Sequence, residues 1–99
     1  TDMTQILQQE RKYFKTDVMS IIVENGDTVQ RLNEILHEYG EYIIGRMGIP
    51  YKQRKINIIS IAIDAPQDTI STLAGRIGAL SGVNVKTAFS SVISDERAE

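Results

Sequence analysis

His37 is the only histidine, and three carboxylates, Glu34, Glu38 and Glu41, stand beside it in the chain. That is the first place to look for acid–base or metal chemistry. The spacing does not support it: the carboxylates follow one another in and just after a helical segment, as on a solvated helix face. There is no cysteine, and a four-ligand metal site within one chain is not expected. His37 could join a metal site only by repetition across subunits, and it reads first as a surface or interface histidine. The hydroxyls Ser60, Ser71, Thr87, Ser90 and Ser91 lack the G-x-S-x-G context of an activated serine, and one histidine leaves little choice of base. We expect no catalytic residue, no metal and no cofactor.

Three other stretches could bind rather than react. Gly45 to Lys55 reads GRMGIPYKQRK and carries four cations. Gly75-Arg76-Ile77-Gly78 looks like part of a phosphate loop, but the G-K-[ST] ending is missing and it lies inside a helical pattern. Its small residues, Gly75 and Gly78, fit an approach to another backbone and mark a candidate oligomer interface, since each glycine costs a helix about 1 kcal/mol. Asn25-Gly26-Asp27 joins a strand to a helix, so its backbone N–H groups can face a carboxylate or other anion, with Asp27 competing as the capping anion. Arg46 of a neighbouring subunit is the cation that would complete such a pocket. The expected ligand-binding set is Asn25, Gly26, Asp27 and Arg46.

The elements that must position these residues follow from periodicity. Asp17 to Glu24 alternates as a β-branched strand and ends in the turn pair Asn25-Gly26. Asp27 to Gln30 reads as a variant capping box, after which Val29, Leu32, Leu36 and Tyr39 form one helical face ending at Gly40. Tyr42 to Met47 is a second strand, GIPYKQRK a connection, and Lys55 to Ile63 a third strand. Asp64 to Gln67 repeats the cap, and Ile70, Leu73, Ile77 and Leu80 make a second helical stripe that Ser81-Gly82 ends. Val83 to Val92 is the last strand.

This order predicts an α+β, ferredoxin-like βαββαβ sandwich, with both helices on one face of an antiparallel sheet and the first and third strands central. The domain spans 16–93, preceded by a helical or frayed arm at 1–15 and followed by a disordered tail at 94–99. Ile59, Ile61 and Ile63 are assigned to the helices. Val18, Ser20 and Ile22 of the first strand, with Ile58, Ser60 and Ala62 of the third, are left on the opposite face. A water-facing sheet would carry charges there, so a covering subunit is expected, with the N-terminal helix as the other candidate cover.

At 99 residues the chain is one domain's worth. A net charge of −2 provides no global attraction to nucleic acid or anionic membrane. No apolar run is long enough for a membrane span. The expected setting is cytoplasmic.

Three passages carry a family resemblance: RLNEILHEYGEYIIGRMGIPY, INIISIAIDAP and ISTLAGRIGALSGVNVKTAFS. Over about Asp17 to Val92 the chain strongly resembles the small regulators associated with iron-only hydrogenase systems. The resemblance implies an ACT-like domain, similar to the C-terminal domain of nickel-responsive repressors, that forms dimers or tetramers and senses a small-molecule effector. It implies a non-catalytic regulatory role around hydrogenase expression or maturation. The alternative is an adaptor for a hydrogenase-related protein partner, without a small ligand. Nickel binding is not carried over, because the chain largely lacks the histidine and cysteine ligands. Direct DNA binding is not carried over either, because the N-terminal arm shows no strand-helix-helix module.

Overall fold

The computed structural model describes residues 13–93, with side-chain surroundings described as far as residue 88. Phe14–Val23 form strand β1. Its alternation places Met19, Ile21 and Val23 in the core and Val18, Ser20 and Ile22 on the other face. β1 begins before the expected Asp17, so Phe14 and Lys15 belong to the sheet rather than to an arm. The physical reason is tertiary: the Phe14 ring meets Tyr42 with centroids 6.1 Å apart. The remainder of the expected arm and the expected tail at 94–99 lie outside the described residues.

After a short 3₁₀ turn at Gly26–Thr28, helix α1 runs Val29–Glu38 and buries Leu32, Ile35 and Leu36. Val29 and Tyr39 flank that stripe half-buried, as the spacing predicts. A second 3₁₀ turn at Gly40–Tyr42 leads into strand β2, Ile43–Tyr51. Here the structure corrects the sequence reading, because Gly48-Ile49-Pro50-Tyr51 is strand and not connection. β2 is an edge, and an edge strand tolerates Pro50 because it need not donate on its free side. The true connection is the exposed 3₁₀ turn Lys52–Arg54, closed by Lys55 in the left-handed region at φ 56°.

Strand β3 spans Ile56–Pro66, past the expected end at Ile63. Asp64 and Ala65 pair with Thr16 and Lys15 instead of capping a helix, and Thr16 donates to Asp64 at 3.0 Å. Helix α2 follows at Gln67–Gly78 with Pro66 in the capping position, and strand β4 is Val83–Ile93. The sheet order is β2-β3-β1-β4, every pair antiparallel. This is the ferredoxin-like sandwich, with β1 and β3 central.

The core lies between the sheet and the helices. Ile59, Ile61, Ile63 and Ala65 of β3 and Met19, Ile21 and Val23 of β1 meet Leu32, Ile35 and Leu36 of α1 and Ile70, Leu73 and Ile77 of α2. Each fully buried large aliphatic side chain contributes roughly 1.5–3 kcal/mol. Gly78 serves this packing, since an added Cβ there would stand 3.3 Å from Val85. Gly75 does not, because nothing lies within 4 Å of its Cβ position.

Candidate functional site

The Asn25-Gly26-Asp27 loop is built differently from the expected cap. Asn25, not Asp27, supplies the capping oxygen: its Oδ1 accepts from the Asp27 N–H at 3.0 Å, and its backbone carbonyl accepts from the Thr28 N–H at 3.0 Å. Asp27 is exposed. The loop is also tied to the α2–β4 turn. Thr28 donates its hydroxyl to the Ser81 carbonyl at 2.9 Å, and the Glu24 N–H donates to the Gly82 carbonyl at 2.7 Å. Two of the N–H groups that could have met an anion are therefore already used within the loop.

Arg46 sits elsewhere. It pairs with Ile61 across the sheet, at the level of Met19, whereas the loop begins beyond Val23 at the strand end. Four strand residues separate those levels, roughly 13 Å. Within one chain the loop and Arg46 are apart, and the pocket expected from the sequence needs a second subunit to join them. Arg46 instead donates from Nη2 to Oδ1 of Asn33 on α1 at 2.6 Å. Asn33 lines a shallow groove of about 580 Å³ with Val29, Gln30, Glu34 and His37. Sequence reasoning missed this groove. Its signal was the run of polar residues at i, i+3, i+4 and i+7 opposite the buried stripe, which is the signature of any solvated helix face.

The two other arginines on this side are differently employed. Arg31 holds Glu34 at 3.1 Å within α1. Arg76 of α2 holds Glu38 of α1 at 2.7 Å and lies 5.6 Å from the centre of the Tyr39 ring. The hydrogen bond from Arg76 is the main cause that holds the Glu38 carboxyl below its ordinary range. Glu38 in turn raises the guanidinium of Arg76. Arg76 thus clamps the helices instead of cradling a phosphate. His37 is exposed in the last turn of α1. Among the described residues no three His, Cys, Asp or Glu side chains come together as metal ligands.

The open face of the sheet is the largest feature left. Register gives three cross-strand rows: Gly45-Ala62-Val18-Ala88, Met47-Ser60-Ser20-Lys86 and Ile49-Ile58-Ile22-Asn84. Tyr51 and Ile56 add a fourth at one side. The expected residues Val18, Ser20, Ile22, Ile58, Ser60 and Ala62 are thus brought together on one surface. The structure adds Met47, Ile49 and Tyr51, at 61%, 51% and 40% exposure. Ile49 and Tyr51 were hidden from the sequence reading because Gly48 and Pro50 suggested a turn, and Met47, read as the end of the second strand, was not assigned to this face. Their alternation with Arg46, Gly48 and Pro50 was the available signal. Lys86 is the one charge in the three rows, and Gly75 lies away from them, on the helix layer.

Comparison with known proteins places this geometry. Residues 15–87 match the family model TM1266-like, described as "Iron-only hydrogenase system regulator, putative". Among solved structures, the uncharacterized protein TM1266 from Thermotoga maritima is 32% identical at a TM-score of 0.74, over 77% of this chain and 96% of that one. A formyltetrahydrofolate deformylase from Pseudomonas putida is 16% identical at a TM-score of 0.55. That match spans 74% of this chain but only 28% of the enzyme's, and it shows the shared ACT-like fold alone. No curated protein matches the chain.

Proposed function

Because the chain belongs to the TM1266-like family, we propose that it is a non-catalytic regulatory domain of an iron-only hydrogenase system, working as a homo-oligomer. The observation that carries the reading is the open sheet face. Eleven uncharged residues and one lysine fill its three rows, and Val18, Ile22, Met47 and Ile49 are each more than a third exposed. A sheet face that met water would carry charged side chains at these positions, and contiguous apolar patches mark association surfaces. Small residues at its centre (Ser20, Ser60 and Ala62) let a second sheet approach to the roughly 10 Å of a stacked pair. The non-catalytic part of the reading is supported by the carboxylates. Glu34 and Glu38 are each held by an arginine on the solvated helix surface instead of converging on a reacting position.

Sedimentation velocity from about 1 to 100 µM tests the assembly. A dimer or tetramer is expected. A monomer throughout that range would overturn the homo-oligomer and turn the face over to a hydrogenase-related protein partner, which co-purification with hydrogenase maturation proteins would then identify.

A further inference from the structure

Three observations, one at the groove on α1 and two on the neighbouring strand β2, are not used by the regulatory reading. The first is its size: about 580 Å³ falls within the roughly 300–1,000 Å³ of small-molecule sites. From Val29 at one end to His37 at the other it runs two helical turns, roughly 12 Å. The second is the state of Arg46. Arg31 and Arg76 are each neutralised by a carboxylate, but the Arg46 guanidinium is held by a neutral amide, Asn33 Oδ1 at 2.6 Å. Among the described residues no carboxylate oxygen lies within 4 Å of it. A guanidinium oriented through one nitrogen still presents its remaining N–H groups, the arrangement that takes up a planar oxyanion with two parallel bonds. The third is vacant space beside it. Gly48 shares the helix-facing side of β2 with Arg46, and a Cβ at Gly48 would meet nothing within 4 Å.

We infer that the shallow groove of α1, at the side where Asn33 meets Arg46 of β2, binds a small organic oxyanion, a carboxylate or a phosphate ester, with Arg46 as its charge partner. Asn33 fixes the guanidinium, and the side chains of Gln30 and His37 offer hydrogen bonds along the groove. Glu34 does not repel the ligand strongly, because Arg31 neutralises it at 3.1 Å. With Glu34 offset by Arg31, the Arg46 guanidinium on Asn33 is left as an uncompensated positive charge beside the groove. The inference deepens the regulatory reading by naming the class of effector. It does not depend on the sheet face, which lies on the other side of the sheet.

Titration calorimetry of the full chain with succinate, glycerol 3-phosphate and inorganic phosphate tests it. At least one of the two organic anions is expected to saturate with a dissociation constant near about 1 mM or tighter. Succinate alone would assign a carboxylate effector, and glycerol 3-phosphate alone a phosphate ester. Arg46→Gln is expected to weaken that binding at least about tenfold, whereas Arg54→Gln in the exposed β2–β3 turn leaves it unchanged. Melting temperature confirms that both variants fold. No saturable binding of either organic anion, or equal weakening by the two substitutions, would overturn the inference, and so would binding of inorganic phosphate alone. Sedimentation of the same samples reads the oligomer separately, so failure of the groove and failure of the sheet face are told apart.

Discussion

Arg76 on α2 donates to both carboxylate oxygens of Glu38 on α1, from Nη1 to Oε2 at 2.7 Å and from Nη2 to Oε1 at 3.3 Å. The same Nη1 approaches the Tyr39 hydroxyl at 3.4 Å. This fork links the two helices across the outside of the core that they share.

The fork predicts an acid-side stability term. Glu38 is held below its ordinary 4.5 by the Arg76 hydrogen bond first, with burial opposing and the Arg76 and Arg31 charges adding. A carboxyl depressed in the folded state stabilises above its unfolded pKa, and that contribution is lost as pH falls through the folded value. Glu38→Gln should therefore lower the melting temperature slightly at neutral pH, and the gap from wild type should close well below pH 4.5. Being exposed, the effect should shrink with added salt. A gap that stayed constant into acid would contradict it.

The sheet face predicts a different kind of loss. Ser60→Glu places a charge in the middle row beside Ser20 and Met47. It should raise the dissociation constant of the oligomer at least about tenfold while circular dichroism and melting stay those of a folded protein. An unchanged sedimentation coefficient with the variant folded would exclude this face.

Two glycines should respond in opposite directions. Gly82 sits at φ +69°, and a Cβ there would lie 2.7 Å from the Asn25 Cβ. Gly82→Ala should cost about 1–3 kcal/mol in urea unfolding. Gly75 faces open space in mid-helix, so Gly75→Ala should stabilise by about 0.5–1 kcal/mol. A loss of assembly in Gly75→Ala would instead place α2 in an interface.

Thr28→Val removes the hydroxyl that reaches Ser81 across the chain while keeping the side chain's size. It should cost about 0.5–1.5 kcal/mol. Hydrogen exchange should quicken at both the Asn25–Thr28 and Ser81–Gly82 turns, since the bond ties them together. Faster exchange at one turn alone would mean they are not coupled.

The amphipathic pattern of the chain determined its topology. Met19-Ile21-Val23 and Ile59-Ile61-Ile63 alternate with period two, and Leu32-Leu36 and Ile70-Leu73-Ile77 repeat with the helical period. Those periods leave one buried side for each element, and the right-handed connection then sets the strand order. The open face followed from the same logic, because every residue that does not face the core must face away from it. Local chemistry was less informative where two outcomes are nearly equal in energy. Gly48 and Pro50 are turn residues by propensity, yet they extend an edge strand, because pairing with Ile59 and Asn57 of β3 outweighs a weak local preference. Asp27 and Asn25 are both good caps, and the choice fell to Asn25, in the loop that Gly82 packs against. Which arginine meets which partner was decided only in three dimensions. Arg31, Arg46 and Arg76 look alike in the chain, but contacts between distant elements join Arg76 to Glu38 and leave Arg46 with a neutral amide.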